Sequence, residues 1–208
     1  MVDLLGVLAY GELTAFQRLA EDVRFAPTLA DKAALGAMAS AEFQHFRLLR
    51  DRLAELGADP DEAMAPFVAA LDAFHESTQP GDWLEGVVKA YVGDGIAADF
   101  YREVAAFVDE STRALVLEVL ADTGHAAFAV EKVRAAVAQE PAVAGRLALW
   151  ARRLVGEAML QAQRVAVERE ALARLLVGGD GDLVGISEML SRITAAHARR
   201  MAALGLSG

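Results

Sequence analysis

Apolar residues recur along this chain in steps of three and four rather than two, so the pattern predicts helices almost throughout and no β-hairpin. The interruptions are few: Ala26-Pro27-Thr28, Gly57-Ala58-Asp59-Pro60, Gln79-Pro80-Gly81-Asp82, Val108-Asp109-Glu110, Gln139-Glu140-Pro141 and Gly178-Gly179-Asp180-Gly181-Asp182. They separate six long helices, expected over Asp3–Arg24, Leu29–Leu56, Asp82–Phe107, Ser111–Gln139, Pro141–Val177 and Leu183–Leu204. A shorter helix over Asp61–Phe74 occupies the long second connection, as two hairpins joined by one crossover require. Thr28 ahead of Asp31 reads as a helix cap with its third-position acid, Gly57 followed by Pro60 as a stop, and Pro141 as a first-turn proline. The expected architecture is one all-α domain, a four-helix bundle over residues 1–139 with two C-terminal helices, 140–208, packed on it.

The stripes that should face the core contain acids and histidines. On the first helix the inward series is Leu5, Leu8, Glu12, Phe16, Leu19 and Val23; on the second it is Leu35, Met38, Glu42, His45, Leu49, Leu53 and Leu56. The third runs Leu84, Val87, Tyr91, Asp94, Ala98, Tyr101, Ala105 and Val108, with Asp99 and Glu103 off the stripe, and the fourth Leu115, Val119, Asp122, His125, Ala129 and Val133. An unpaired charge on such a face is expensive, so the acids need a partner. Glu12 and Glu42 are equidistant from Pro27, and Asp94 and Asp122 from Val108, which sets each pair level in its hairpin, about 22 Å from the turn.

Four carboxylates and two imidazoles at one depth form a hard oxygen and nitrogen donor set suited to two Fe ions, with Mn or a mixed Fe/Mn pair as alternatives. The expected ligands are Glu12, Glu42, His45, Asp94, Asp122 and His125, with no catalytic residue beyond them. Tyr91, one turn before Asp94, is a candidate to hydrogen-bond a ligand carboxylate. Glu118, one turn before Asp122, competes with it as a ligand or supports it from behind. Tyr10-Gly11-Glu12 with Ala41-Glu42 and His45 is echoed by Tyr91-Val92-Gly93-Asp94 with Ala121-Asp122 and His125, as if the two hairpins were divergent repeats.

Composition narrows the chemistry. The 208 residues are 55% hydrophobic and contain no cysteine, which excludes disulfides, thiolate-bound metal and a thiol nucleophile. An oxidase built on this chain therefore needs an external electron donor. No stretch approaches a membrane span and the first residues lack a basic leader segment, so the expected location is the cytoplasm. The excess of arginine over lysine suggests a GC-rich bacterial genome. The net charge of −10 is uneven: residues 140–208 carry nine arginines against seven acids, so any nucleic-acid footprint belongs there. Arg152, Arg153, Arg164 and Arg169 would make ion pairs or meet a partner. His75 is expected at the surface, His197 against solvent or the fifth helix, and Gly178–Asp182 lacks the ending of a phosphate loop.

The pattern Glu, Glu-x-x-His, acid, acid-x-x-His on successive helices resembles the ferritin-like superfamily. Tyr10-Gly11-Glu12-Leu13, Ala41-Glu42-Phe43-Gln44-His45-Phe46, Tyr91-Val92-Gly93-Asp94-Gly95-Ile96-Ala97-Ala98-Asp99-Phe100-Tyr101 and Asp122-Thr123-Gly124-His125 are similar to the actinobacterial MiaE-like group, named after the tRNA 2-methylthio-isopentenyl-adenosine hydroxylase. The resemblance implies a ferritin-like bundle with terminal carboxylates at Glu12 and Asp94, bridging ones at Glu42 and Asp122, and nitrogen ligands at His45 and His125. It also implies an oxygen-dependent hydroxylase or oxidase, with tRNA a substrate candidate at the C-terminal arginines and a homodimer an allowed state. Asp94 and Asp122 are each one methylene shorter than the family's glutamates. Iron handling or peroxide detoxification without an organic substrate, and a metal-free helical interaction scaffold, are the rival expectations.

Overall fold

The structure is a computed structural model that describes residues 1–121, 124–169 and 183–206, the last stretch with side chains from Glu188 onward. Among the described residues the only regular structure is helical: α1 (Val2–Asp22), a short 3-10 turn (Val23–Phe25), α2 (Leu29–Glu55), α3 (Pro60–Ser77), α4 (Trp83–Ala105), α5 (Glu110–Val119), α6 (His125–Gln139), α7 (Ala142–Glu168) and α8 (Leu183–Leu204).

The boundaries follow local chemistry. Thr28 caps α2 by accepting a hydrogen bond from the Asp31 amide at 3.1 Å, while its own hydroxyl donates to the Asp31 carboxylate. Asp59, Asp82 and Asp109 cap α3, α4 and α5 in the same way. Gly57, at φ 73°, ends α2 as the sequence predicts, with its amide and that of Ala58 turned back to Ala54 and Leu53.

One expected helix is two. Ser111–Gln139 breaks after Leu120, and α6 restarts at His125 behind Gly124, whose φ of 99° lies in the left-handed region that glycine adopts without strain. The fifth helix is described to Glu168 rather than the expected Val177, and residues 170–182, with the Gly178–Asp182 turn, lie outside the described residues.

Three apolar clusters share the interior. The first joins Leu4, Leu5, Leu8, Leu49, Leu53, Phe67, Val104 and Val116, and so binds the α1–α2 hairpin to α3, the end of α4 and α5. A second holds α4, α6, α7 and α8 through Val88, Val92, Val133, Leu147, Leu154 and Leu204. The third is smaller and links α1 to α2 around Leu19, Leu35 and Ala39. The crossover helix α3 presses closely on α1: a Cβ at Gly6 would collide with the Ala63 carbonyl oxygen. Polar ties complete the frame, with Lys132 of α6 on Asp31 of α2 at 2.9 Å and the Trp150 indole donating to the Glu85 carbonyl at 2.9 Å.

Gly6→Ala should therefore lower stability by about 1–3 kcal/mol, because the clash is with backbone that cannot swing aside. Gly36→Ala, within α2 with nothing inside 4 Å of the added carbon, should raise it by about 0.5–1 kcal/mol. Urea unfolding of the two variants beside the parent checks both signs.

Candidate metal centre

Four helices deliver the candidate donors. Glu12 comes from the middle of α1, Glu42 and His45 from one turn of α2, Asp94 from the middle of α4, and His125 from the first position of α6. Glu42 and His45 are three residues apart, a spacing that points both to one side of a helix. The hairpin geometry inferred from Pro27 is realised, since Glu12 and His45 stand 3.4 Å apart.

The donors fall into two groups that share one residue: Glu12, Glu42 and His45, and Glu42, Asp94 and His125. Glu42 sits between them with its two oxygens divided. Its Oε2 lies 3.5 Å from His45 Nδ1 and its Oε1 3.4 Å from His125 Nδ1. Asp94 Oδ2 lies 3.7 Å from the same His125 nitrogen. A carboxylate that offers one oxygen to each of two groups is in the position of a bridge.

These separations are long for charge-assisted hydrogen bonds, which close to about 2.7–2.9 Å. They suit donors around a cation, which at metal–ligand distances of about 2.1 Å stand roughly 3.0–3.4 Å from one another. Glu12 Oε2, His45 Nδ1 and Asp94 Oδ2 are buried and have no hydrogen-bond partner. Buried polar atoms are nearly always paired, so three orphans that converge on one place fit a metal ion as the missing partner.

The groups are unequal. The side chains of Glu12, Glu42 and His45 are 13, 10 and 14% exposed, whereas that of Asp94 is 44% exposed with only its inner oxygen covered. Burial and the charge of Glu42 raise the Asp94 carboxyl to about 6 against the pull of His125. Burial and the neighbouring Glu42 lift Glu12 well above the ordinary carboxylate range. Glu42 lies below its ordinary value: burial opposes ionisation, but Glu12, His45 and His125 together outweigh it. Glu12 and Glu42 raise His45 to about 10, an imidazolium held between carboxylates.

The other expected residues divide. Asp122 lies outside the described residues, in the break between α5 and α6. Among the described residues the group from α6 that meets Asp94 is His125. Glu118 is exposed on α5, whose covered face is Thr112, Val116 and Val119. Tyr91 is half-buried on α4 and packs at the edge of the second apolar cluster. His75 is half-buried; burial and the nearby Lys89 and Arg18 depress it to about 3. His197 is half-buried on α8 and lowered by burial and Arg200.

Tyr101 is a neighbour that the sequence reading left as a core residue. Burial and the charge of Glu12 push its phenol above the ordinary range, so it keeps its proton beside the ligands. Its signal was its place on the inward stripe, two turns beyond Asp94. Of the four α7-region arginines, Arg169 pairs with Asp3, Arg153 donates to the Ser77 carbonyl and Arg164 donates to Gln161. Arg152 is exposed. Among the described residues no helix is long and apolar enough to cross a membrane.

A cation that binds here must displace a proton, because His45, raised to about 10, holds one near neutral pH while coordination needs its nitrogen free. Mn2+ binding should therefore weaken as pH falls from 8 to 6 and release about one proton or more per chain at pH 7. Calorimetry in buffers of different ionisation enthalpy reads that number. A release of zero would show that the cation binds elsewhere.

Residues 1–179 match a family described as Ferritin_fold-like, a ferritin-like domain of actinomycetes. No curated protein matches the chain.

Proposed function

We propose that this chain, which belongs to the actinomycete ferritin-like domain family, is a non-haem dinuclear metal protein, in its working form di-iron, that uses dioxygen to hydroxylate or oxidise an organic substrate. The observation that carries this reading is Glu42, whose two carboxylate oxygens face two separate acid and histidine groups. Glu12 and His45 complete one position, and Asp94 and His125 form the other. A pair of reduced iron ions held there would supply the electrons that activate dioxygen for attack on a C–H bond.

The chain supplies the surroundings. Phe16 of α1 and Phe43 and Phe46 of α2 form tilted ring pairs, with ring centres 5.1 and 5.7 Å apart, that help to join the two helices carrying Glu12 and Glu42. Asp94 marks the side open to solvent. The protonated Tyr101 is a donor next to Glu12. With no cysteine in the sequence, electrons must come from a separate donor protein or small reductant.

For the substrate, the MiaE-like resemblance offers tRNA, but the arginines that would receive it are largely used inside the chain. The acid excess of residues 1–139 repels phosphate further. A small apolar molecule fits these observations better. The bundle itself lies in the cytoplasm on this reading.

Protein purified under reducing, iron-replete conditions should carry about two iron ions per chain. Glu42→Ala should lose nearly all of it, whereas Glu12→Ala and Asp94→Ala should each lose about one. Elemental analysis decides, and near-zero metal in the parent would sink the reading in favour of a metal-free scaffold. Dioxygen added to the reduced parent should be consumed and should oxidise the iron; on size exclusion, a large cage would favour iron storage and a monomer or dimer the oxidase.

A further inference from the structure

The last helix is placed to act on one half of the centre. α8 packs on α4 and α6, the helices that carry Asp94 and His125. Its Met201 and Leu204, with Leu206 just beyond, join Val88, Val92, Ala129 and Val133 in one apolar cluster. Two arginines then lock it to α4. Arg192 grips Glu103 through two bonds of 2.8 Å, and Arg200 forms an ion pair with Asp99 at 2.7 Å. Asp99 and Glu103 are the acids that fall off the inward stripe of α4, and this is where they face.

Arg200 does more than pair with Asp99. It crosses α4 at Gly95, where an added Cβ would lie 2.6 Å from its Cδ and 2.7 Å from its Nε. Gly95 directly follows Asp94, so the arginine rests on the backbone that bears the ligand. Its side chain is 14% exposed, and Nε and Nη2 are buried without acceptors. A buried guanidinium with donors to spare is a poor device for mere helix cohesion, which leucine would provide without that cost.

Aspartate supplies the reason for such a clamp. Its carboxylate is one methylene closer to the backbone than that of glutamate, so it has less freedom to follow a metal when the helix shifts. Glu12, with the longer reach, sits in the α1–α2 hairpin and receives no contact of this kind among the described residues.

We propose that Arg200 is a positioning residue for the metal position formed by Glu42, Asp94 and His125. It holds the α4 turn at Gly95 so that Asp94 stays within reach of its partners. α8, which lies beyond the residues that match the family, thereby becomes part of the centre. This inference rests on the dinuclear reading above.

The test is a titration of the metal-free full-length chain with Co2+ alone, followed by its visible absorption and by bound metal per chain. The parent should take up two ions. Arg200→Met and Gly95→Ala should bind one ion as the parent does and the second at least tenfold more weakly, with the absorption of the first position unchanged. Arg200→Lys, which keeps a charge for Asp99, should restore much of the second, and Arg192→Met, further along α4, should bind both. Gly95→Ala introduces a good helix former, so it answers the question even if Arg200→Met unfolds. Retention of both ions at parental affinity by Arg200→Met and Gly95→Ala would overturn the proposal, as would loss of both ions together. A parent that binds no Co2+ would overturn the dinuclear reading itself.

Discussion

The organising constraint in this protein is the crowding of Glu12, Glu42, Asp94, His45 and His125 at one depth among apolar helices. Carboxylates brought this close repel, and burial removes the water that would screen them. The groups shift against one another in consequence: burial and Glu42 raise Glu12, its neighbours lower Glu42, and both carboxylates raise His45 to about 10. The cluster keeps contacts of 3.4–3.7 Å and orphaned donor atoms rather than a closed hydrogen-bond network. A purely structural polar cluster would have closed up, since unsatisfied buried groups destabilise a fold with nothing gained. The rest of the architecture serves to keep these side chains from drifting apart.

Much of this was legible in the sequence because it rests on local rules. Helical period placed Glu12, Glu42, His45 and Asp94 on inward faces, and the equal distances of Glu12 and Glu42 from Pro27 set them level. Thr28 and Gly57 announced helix ends through cap chemistry that needs no tertiary partner. What stayed hidden depended on competition between signals. Asp122-Thr123-Gly124 contains three residues that favour turns, yet the apolar stripe on either side runs in phase, so period reasoning carried one helix through the break before His125. Glu118 was assigned to the inner face on that assumption. Once α5 is a separate short helix, Thr112, Val116 and Val119 take the covered positions and Glu118 turns outward.

Long-range partners were the other blind spot. Asp99 and Glu103 looked like ordinary solvent-facing acids of α4, and nothing within fifty residues of them indicates that Arg192 and Arg200 will arrive from α8. His75 follows a short segment that reads as a surface helix, and only the packing of α3 against its neighbours covers part of it. Charge balance misled in the opposite sense. The C-terminal third reads as a basic region open to partners, but Arg153, Arg169, Arg192 and Arg200 are used on the chain's own carbonyls and carboxylates.

The two halves of the centre consequently differ in the way they are built. Glu12, Glu42 and His45 belong to two long, continuous helices joined by a short turn and packed along their length, so their relative positions are set by one hairpin. Asp94 and His125 come from α4 and from a helix that restarts immediately before the ligand, so their alignment depends on contacts made elsewhere, with α7 and α8. The shorter aspartate and its greater exposure add to this difference. A rigid, enclosed position beside an open and conditionally assembled one is the arrangement expected where one ion is held firmly and the other must admit an incoming molecule. The echo between the hairpins is thus a likeness of ligand pattern carried by unlike supports, and the additional C-terminal helix makes up for the continuity that the second half lacks.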